Sequence, residues 1–174
     1  MHCWAGTTTS RHRPLRWAGP AGAWGCVAPG PGGLARRSVL FWRTGCAPLA
    51  RAWQLAVASG GGKNAGPRWS DCMWPWETVQ SSLADGILDD ETYDWIGVCN
   101  AMADSGGSPV IASEQNVVDA YALAHKVTAI EVSPTGTAGL AGLLAIRNEI
   151  ADDERVVVVF SGVRRHFMPL PAAQ

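Results

Sequence analysis

One hydroxyl side chain stands where an α/β protein binds a ligand. Ser161 and Gly162 directly follow the run 155–160, in which four consecutive valines precede a phenylalanine. Such a continuous β-branched run is typical of a strand that is covered on both faces of a parallel sheet. Because ligands bind at the carboxyl ends of strands in these sheets, we expect Ser161 to face a binding site. The structural alternative is that Ser161 simply ends the strand.

A second group of small and hydroxyl residues marks a predicted helix start. Pro134 is followed by Thr135, Gly136 and Thr137. Proline is favoured in the first turn of a helix because the N–H that it lacks would have no partner within the helix there. The small residues that follow allow the helix backbone to lie close to a ligand or another surface. We expect free N–H groups at this start and a helix that continues to about Ile150. The structural alternative is that both threonines only cap the helix.

The elements between these two places alternate in type. Apolar residues recur at helical spacing within 92–105. Ser113 is placed to cap a second helix, with Asn116 where a capping box has Glu or Gln. Short apolar strands are predicted at 108–112, 128–132 and 155–160. This alternation predicts an α/β fold with a partial open parallel sheet and flanking helices.

Composition divides the chain near residue 70. Residues 1–70 contain nine basic and no acidic residues, with 12 of the 20 glycines, 6 of the 11 prolines and 6 of the 9 tryptophans. All 15 acidic residues lie in 71–174. Proline and glycine interrupt the first segment except over 48–58, where Pro48 opens a predicted short helix. We therefore predict a largely irregular N-terminal third and an incomplete α/β domain over 71–174.

Residues 1–70 have three interpretations. The favoured one is a low-complexity basic segment that is disordered or is not native coding sequence, because Gly, Ala, Arg, Pro and Trp are what GC-rich DNA encodes in a wrong frame. An arginine-rich segment without acidic residues is also typical of an organelle transit peptide. Arginine interleaved with tryptophan is typical of nucleic-acid binding, which is the least favoured interpretation because the arginines are dispersed.

The sequence supports few other classes of site. The five cysteines are widely spaced and include no C-x-x-C pair, which predicts free thiols in a reducing compartment and no metal site. The glycine-rich segment 59–64 lacks the residues that a phosphate-binding Walker loop needs, so we interpret it as a linker. No apolar stretch approaches the roughly 20 residues of a membrane span. We expect a cytoplasmic protein with no membrane partner.

Three segments, 75–95, 134–144 and 156–163, carry a family resemblance. With PTGTAGLAGLL in the second and VVVVFSGV in the third, the chain resembles the C-terminal portion of pyridoxal-phosphate-dependent enzymes of the threonine synthase and tryptophan synthase beta group. The resemblance implies their α/β fold. It also implies elimination and replacement of a leaving group on an amino-acid substrate such as O-phosphohomoserine, and a homodimer for the complete enzyme.

The resemblance further implies a site for the cofactor pyridoxal 5'-phosphate. Ser161 is expected to hydrogen-bond the pyridine nitrogen, and Gly162 to leave room for the ring. The loop beside the ring is expected to be formed by Thr135, Gly136 and Thr137. A neutral hydroxyl at the nitrogen tolerates an unprotonated pyridine, which suits elimination and replacement chemistry. Ser133 stands where many relatives have Glu.

Two features of the family are not found in this sequence. One is the motif around the Schiff-base lysine, because Lys63 lacks the family's surrounding residues and Lys126 lies at the end of a predicted helix. The other is a Gly-Asn-x-Gly phosphate loop. A hydroxyl does not replace a lysine that anchors the cofactor and shuttles a proton. We therefore identify no catalytic residue and expect the chain alone to be inactive; the alternative is a non-catalytic α/β module that binds a partner or a small anion at the Thr135 helix start.

Overall fold

Helices and parallel strands make up the regular structure of the chain. The computed structural model describes residues 15–20, 36–43, 45–59, 69–78, 81–150, 152 and 155–163. The strands are β1 (Leu15–Pro20), β2 (Arg36–Arg43), β3 (Ser108–Ala112) and β4 (Arg155–Val158). The helices are α1 (Pro48–Ala58), α2 (Trp69–Cys72), α3 (Trp95–Ser105), α4 (Glu114–Val127) and α5 (Ala138–Ala145). Short 3-10 turns lie at Asp85–Ile87, Thr135–Thr137 and Arg147–Glu149.

The four strands form one sheet in the order β3-β2-β1-β4, and each neighbouring pair is parallel. Leu15 of β1 lies opposite Arg36 of β2 on one side and opposite Arg155 of β4 on the other. Strands β1 to β3 follow each other in one direction across the sheet, whereas β4 joins on the other side of β1. In open parallel sheets a crevice for ligands forms at such a reversal, beyond the carboxyl ends of the strands. The segment that follows β4 therefore leaves the sheet at this point.

Two strands lie in the N-terminal third, where the sequence predicts largely irregular structure. Strands β1 and β2 both precede residue 44 and occupy the two central positions of the sheet. Helix α1 has the predicted bounds, Pro48–Ala58. A central parallel strand shows no alternation of polar and apolar residues, so these two short strands left no periodic signal among the prolines and glycines. The sheet therefore contains strands from both sides of the change in composition near residue 70. The interpretation of residues 1–70 as non-native coding sequence stays a prediction.

Two separate apolar clusters stabilise the helices. The first joins α1, α2 and α3 around the fully buried Trp95, whose ring meets that of Trp69 edge-on with centroids 5.5 Å apart. The second joins α4, α5 and the Asp85–Ile87 turn, largely through alanines. Small side chains let α5 lie close to both α4 and strands β1 to β3.

The predicted end of α3 and the predicted start of α4 agree with the structure. Helix α3 ends at Gly106, whose φ of 66° lies in the left-handed region that favours glycine. Helix α4 begins with the capping box: the Asn116 N–H donates to Ser113 Oγ at 3.2 Å, and the Ser113 N–H donates to Asn116 Oδ1 at 3.1 Å. Asparagine therefore completes a motif that is usually made by Glu or Gln.

Three other predicted elements differ in the structure. The strand predicted at 128–132 is wrong, since only Val132 pairs, in an isolated antiparallel bridge with Val163. Helix α5 ends at Ala145 instead of near Ile150. The Ile146 N–H is shared between the carbonyls of Gly142 and Leu143, and the chain continues as a 3-10 turn. Strand β4 lies at an edge of the sheet, and Val157 is 38% exposed although the sequence predicted cover on both faces.

Arg51 fastens the segment 74–77 to α1. Its guanidinium lies over the Trp74 ring, 3.8 Å from the centroid, and over the Trp76 ring at 4.7 Å. It also donates to the Glu77 carboxylate at 3.1 Å. A hydrogen bond from Trp74 and the charge of Arg51 lower the pKa of Glu77. This contact holds the segment that follows α2 against α1.

The described cysteines are buried thiols. Cys46, Cys72 and Cys99 form no disulfide, as expected from their spacing. Burial raises the pKa of Cys99 to about 12, and the neighbouring Cys72 adds to the rise. Among the described residues, no helix is long and apolar enough to cross a membrane, and no group of three or more potential metal ligands occurs.

We expect the free energy of unfolding to fall as the pH rises above about 9. The unfolded chain releases the Cys99 proton near the ordinary thiol pKa, whereas the folded chain keeps it up to a pKa of about 12. The stabilisation is therefore complete below the unfolded pKa and is lost as the pH rises through the folded value. Urea unfolding of the wild type and of Cys99→Ala between pH 7 and pH 11 measures this effect. The variant should show the shallower decline, and identical slopes would contradict the assignment.

Candidate functional site

The predicted site residues meet where two distant segments cross. Residues 132–137 pass over residues 161–163, and we call this contact the crossing. The Ser133 N–H donates to the Gly162 carbonyl at 2.9 Å, and the Ser161 N–H donates to the Gly136 carbonyl at 3.4 Å. The bridge between residues 132 and 163 extends the contact by one more pair. The structure therefore places both sequence motifs in one location, just beyond the carboxyl end of β4.

Two glycines allow the crossing to form. A Cβ atom on Gly136 would lie 2.4 Å from the Gly162 carbonyl oxygen and 2.8 Å from Cγ2 of Val132. A Cβ atom on Gly162 would lie 2.8 Å from Ser133 Oγ. All three distances are below ordinary contact. At Gly136 the clash is with backbone atoms, so glycine is required for the two backbones to touch; at Gly162 it is with a serine hydroxyl, which would have to move. Gly162 thus makes room for a protein turn, whereas the resemblance implies that it makes room for a cofactor ring.

Ser161 keeps its hydroxyl available. It lies three residues beyond β4, its side chain is exposed, and its backbone N–H is held by Gly136. Within the described part of the chain, its hydroxyl has no hydrogen-bond partner. A hydroxyl that is fixed by its backbone and open to solvent can donate or accept one hydrogen bond to a bound molecule.

The hydroxyls of the two threonines already have protein partners. Thr135 Oγ1 accepts a hydrogen bond from the Gly86 N–H at 3.2 Å. Thr137 is fully buried, and its hydroxyl donates to the Pro134 carbonyl at 2.9 Å. Thr135 therefore joins the Asp85–Ile87 turn to the crossing, and Thr137 closes the turn before α5. Contact of either residue with a cofactor stays a prediction.

The expectation of free N–H groups at this helix start is wrong for three amides. The Gly136 N–H donates to Ser133 Oγ at 3.0 Å, and the Thr137 N–H donates to the Ser133 carbonyl at 3.0 Å. The Ala138 N–H donates to the Thr135 carbonyl. The turn begins as a 3-10 helix, in which backbone groups bond three residues apart and are used up sooner. An anion would therefore have to displace these bonds.

Sequence reasoning missed the residues that support the crossing from the other side. The Glu114 carboxylate, at the start of α4, accepts hydrogen bonds from the Ser82 hydroxyl at 2.8 Å and from the Leu83 N–H at 2.7 Å. This pair of bonds fixes the loop that leads to Gly86 and hence to Thr135. Nothing in the sequence indicated the contacts of Glu114. The bond from the Gly136 N–H to Ser133 Oγ could have been expected, since a serine at the start of a helix usually accepts the N–H three residues later.

The lysines do not complete a cofactor site among the described residues. Lys126 is exposed in the last turn of α4, where no described contact joins it to the crossing. Lys63 lies outside the described residues, as does most of the predicted linker. Contact of Ser161 with the pyridine nitrogen of the implied cofactor stays a prediction, and we assign no residue to the aldehyde or phosphate groups.

Comparison with known proteins identifies the fold. No family model and no curated protein matches the chain. The T.th. threonine deaminase has a TM-score of 0.59 at 17% identity and covers 89% of this chain and 51% of its own. Maize serine racemase has a TM-score of 0.56 at 15% identity, covering 86% of this chain and 42% of its own. The processed threonine deaminase isoform 2 of Solanum lycopersicum has a TM-score of 0.59 at 14% identity, covering 90% and 41%.

At these identities the likeness shows the fold alone. The fold is the tryptophan synthase beta-like fold that the sequence resemblance implies, and the likeness does not single out threonine synthase. The chain spans about half the length of the first of these structures and less of the other two. The comparison therefore supports the fold that the sequence resemblance implies.

Replacing Gly136 by alanine should destabilise the chain by about 1–3 kcal/mol, the usual cost of forcing extra atoms into a packed site. The added methyl group meets backbone atoms of Gly162, which cannot move aside as a flexible side chain does. Gly97→Ala is the matched control, because Gly97 is exposed within α3. Alanine there should stabilise the helix by up to about 1 kcal/mol.

Urea unfolding monitored by tryptophan fluorescence measures both variants. Equal stability of Gly136→Ala and wild type would show that the two backbones do not touch at the crossing.

Proposed function

We propose that this chain is a portion of a pyridoxal-phosphate-dependent enzyme with the tryptophan synthase beta-like fold, acting on an amino-acid substrate. The observation that carries the proposal is the position of Ser161. Its exposed hydroxyl lies beyond the carboxyl end of β4, at the side of β1 where the strand order reverses. Ligands of open parallel sheets bind at this place.

Ser161 is assigned to the pyridine nitrogen of the cofactor. When bound, the cofactor supplies an electron sink for a carbanion at the substrate α-carbon. A serine hydroxyl donates one hydrogen bond to the ring nitrogen and carries no charge, so it leaves the pyridine unprotonated. The hydrogen bond from the Ser161 N–H to the Gly136 carbonyl fixes the backbone of Ser161 and so orients its hydroxyl. These backbone groups hold the residue in place and transfer no proton in the reaction.

The reaction class follows from the same resemblance. A neutral partner at the ring nitrogen suits elimination and replacement of a β- or γ-leaving group, and we propose substrates of the O-phosphohomoserine, threonine or serine type. The similar structures include a threonine deaminase and a serine racemase, which supports hydroxy amino acids as the substrate class. Threonine synthase activity remains the narrower proposal, and it rests on the segments 134–144 and 156–163.

We further propose that the chain binds the cofactor only through non-covalent contacts and catalyses no turnover by itself. The sequence has no recognisable Schiff-base lysine motif and no Gly-Asn-x-Gly loop. A serine cannot form the imine that a lysine amine forms with an aldehyde, nor relay its proton.

The competing function, an anion-binding module at the Thr135 helix start, is not favoured. Three of the amides that would hold an anion are engaged within the turn.

Replacing Ser161 by alanine should weaken binding of pyridoxal 5'-phosphate by about three- to tenfold, the equivalent of one hydrogen bond. Fluorescence titration of the purified chain with the cofactor gives the dissociation constant. Ser108→Ala is the matched control, because Ser108 is an exposed serine on β3, the strand at the opposite edge of the sheet. Its affinity for the cofactor should equal that of the wild type.

The same samples are assayed for phosphate release from O-phosphohomoserine and for 2-oxo acid formation from L-threonine and L-serine. We expect no product above a control without cofactor. Turnover would disprove inactivity of the chain alone. Absence of binding by the wild type, or equal binding by Ser161→Ala, would overturn the assignment of Ser161.

A further inference from the structure

We propose that Ser133 is a positioning residue, which holds Ser161 in place through the crossing. The inference deepens the proposed function and rests on it for the role of Ser161 in ligand binding. Ser133 itself contacts no assigned ligand group; it acts on the backbone that carries the Ser161 hydroxyl.

Ser133 bonds to both segments of the crossing. Its N–H donates to the Gly162 carbonyl at 2.9 Å, which ties it to the residue after Ser161. Its Oγ accepts the Gly136 N–H at 3.0 Å, which ties it to the turn. The turn is closed again when the Gly136 carbonyl accepts the Ser161 N–H at 3.4 Å. Ser133, Gly136, Ser161 and Gly162 therefore form a closed ring of hydrogen bonds, in which the Ser133 hydroxyl is the side-chain member.

The space around Ser133 suits a serine. Its Oγ occupies the volume that a Cβ atom on Gly162 would need, at 2.8 Å. The following Pro134 favours an extended backbone at Ser133, next to the antiparallel bridge of Val132 with Val163. The side chain is half-buried, so water does not fully replace the bond that its oxygen makes.

Removing the Ser133 hydroxyl leaves the Gly136 amide unpaired. Gly136 is buried, and an unpaired buried N–H is unfavourable, so the turn must shift towards solvent or another acceptor. The Gly136 carbonyl belongs to the adjoining peptide and moves with the turn. The Ser161 N–H then loses its acceptor, and the Ser161 backbone gains freedom even though no atom of Ser161 has been changed.

Helix α4 provides a matched control. Ser113 makes an equivalent capping bond, since its Oγ accepts the Asn116 N–H at 3.2 Å, and the fold places this cap in α4, outside the crossing. Ser113→Ala therefore removes a capping hydroxyl of the same kind that makes no bond to the crossing and reaches it only indirectly, through the neighbouring Glu114 and the 82–83 loop. Ser133→Thr is the conservative variant, because threonine retains a hydroxyl oxygen at the same position and accepts an extended backbone before proline.

The experiment is amide hydrogen exchange by NMR on the full 15N-labelled chain, in the wild type and in the three variants. In Ser133→Ala the Ser161 amide should exchange about fivefold or more faster, the population effect of a lost cap. In Ser113→Ala it should rise much less while amides at the start of α4 accelerate, and Ser133→Thr should restore the wild-type rate. An unchanged Ser161 rate in Ser133→Ala, or equal acceleration in both alanine variants, would overturn the proposal.

Cofactor titration of the same variants separates this inference from the proposed function. If the wild type binds pyridoxal 5'-phosphate, Ser133→Ala should weaken binding about as much as Ser161→Ala, and the double variant should add little. Additive losses in the double variant would overturn the coupling. If the wild type does not bind the cofactor, the proposed function fails, and the exchange rates alone still decide whether Ser133 holds Ser161.

Discussion

The close approach of two glycine backbones is the constraint on which the rest of the site depends. Gly136 and Gly162 are separated by α5 and β4 along the chain, yet neither position has room for a Cβ atom. Their contact joins the turn before α5 to the segment after β4. Helix α5 packs on the sheet, and β4 belongs to the sheet. The crossing links the start of α5 to the end of β4, so the end of β4 is restrained from both sides.

The crossing also explains which side chains are left for chemistry. Most of the polar groups around it are consumed in holding it together: Thr135 on Gly86, Thr137 on Pro134, and Ser133 on Gly136. Ser161 differs from these described residues: its backbone N–H is bonded to Gly136, while its side chain is exposed to solvent. A site with one positioned donor and a closely packed support can orient a ring, whereas covalent chemistry needs groups that these residues do not provide.

Much of the local structure was predictable because it is encoded within a few residues. The bounds of α1, the glycine that ends α3 and the capping box of α4 each depend on neighbours three or four positions apart, and all three agree with the structure. The segment 128–132 failed for the opposite reason. Its β-branched residues favour extended backbone, but a strand also needs a neighbour along its length, and only Val132 finds one. The central strands β1 and β2 were missed because a strand inside a parallel sheet requires no alternation.

The sequence by itself determined the class of fold, the location of both motifs and Ser161 as the principal candidate for ligand binding. Only the tertiary structure decided how the remaining candidates pack within the protein. Gly162 makes room for a protein turn, the threonine hydroxyls serve the backbone, and Ser133 gains a role as a partner of both segments. The physical reason is that helix caps and periodicity are short-range properties, whereas a contact between residues 136 and 162 exists only after the sheet has brought the two segments together.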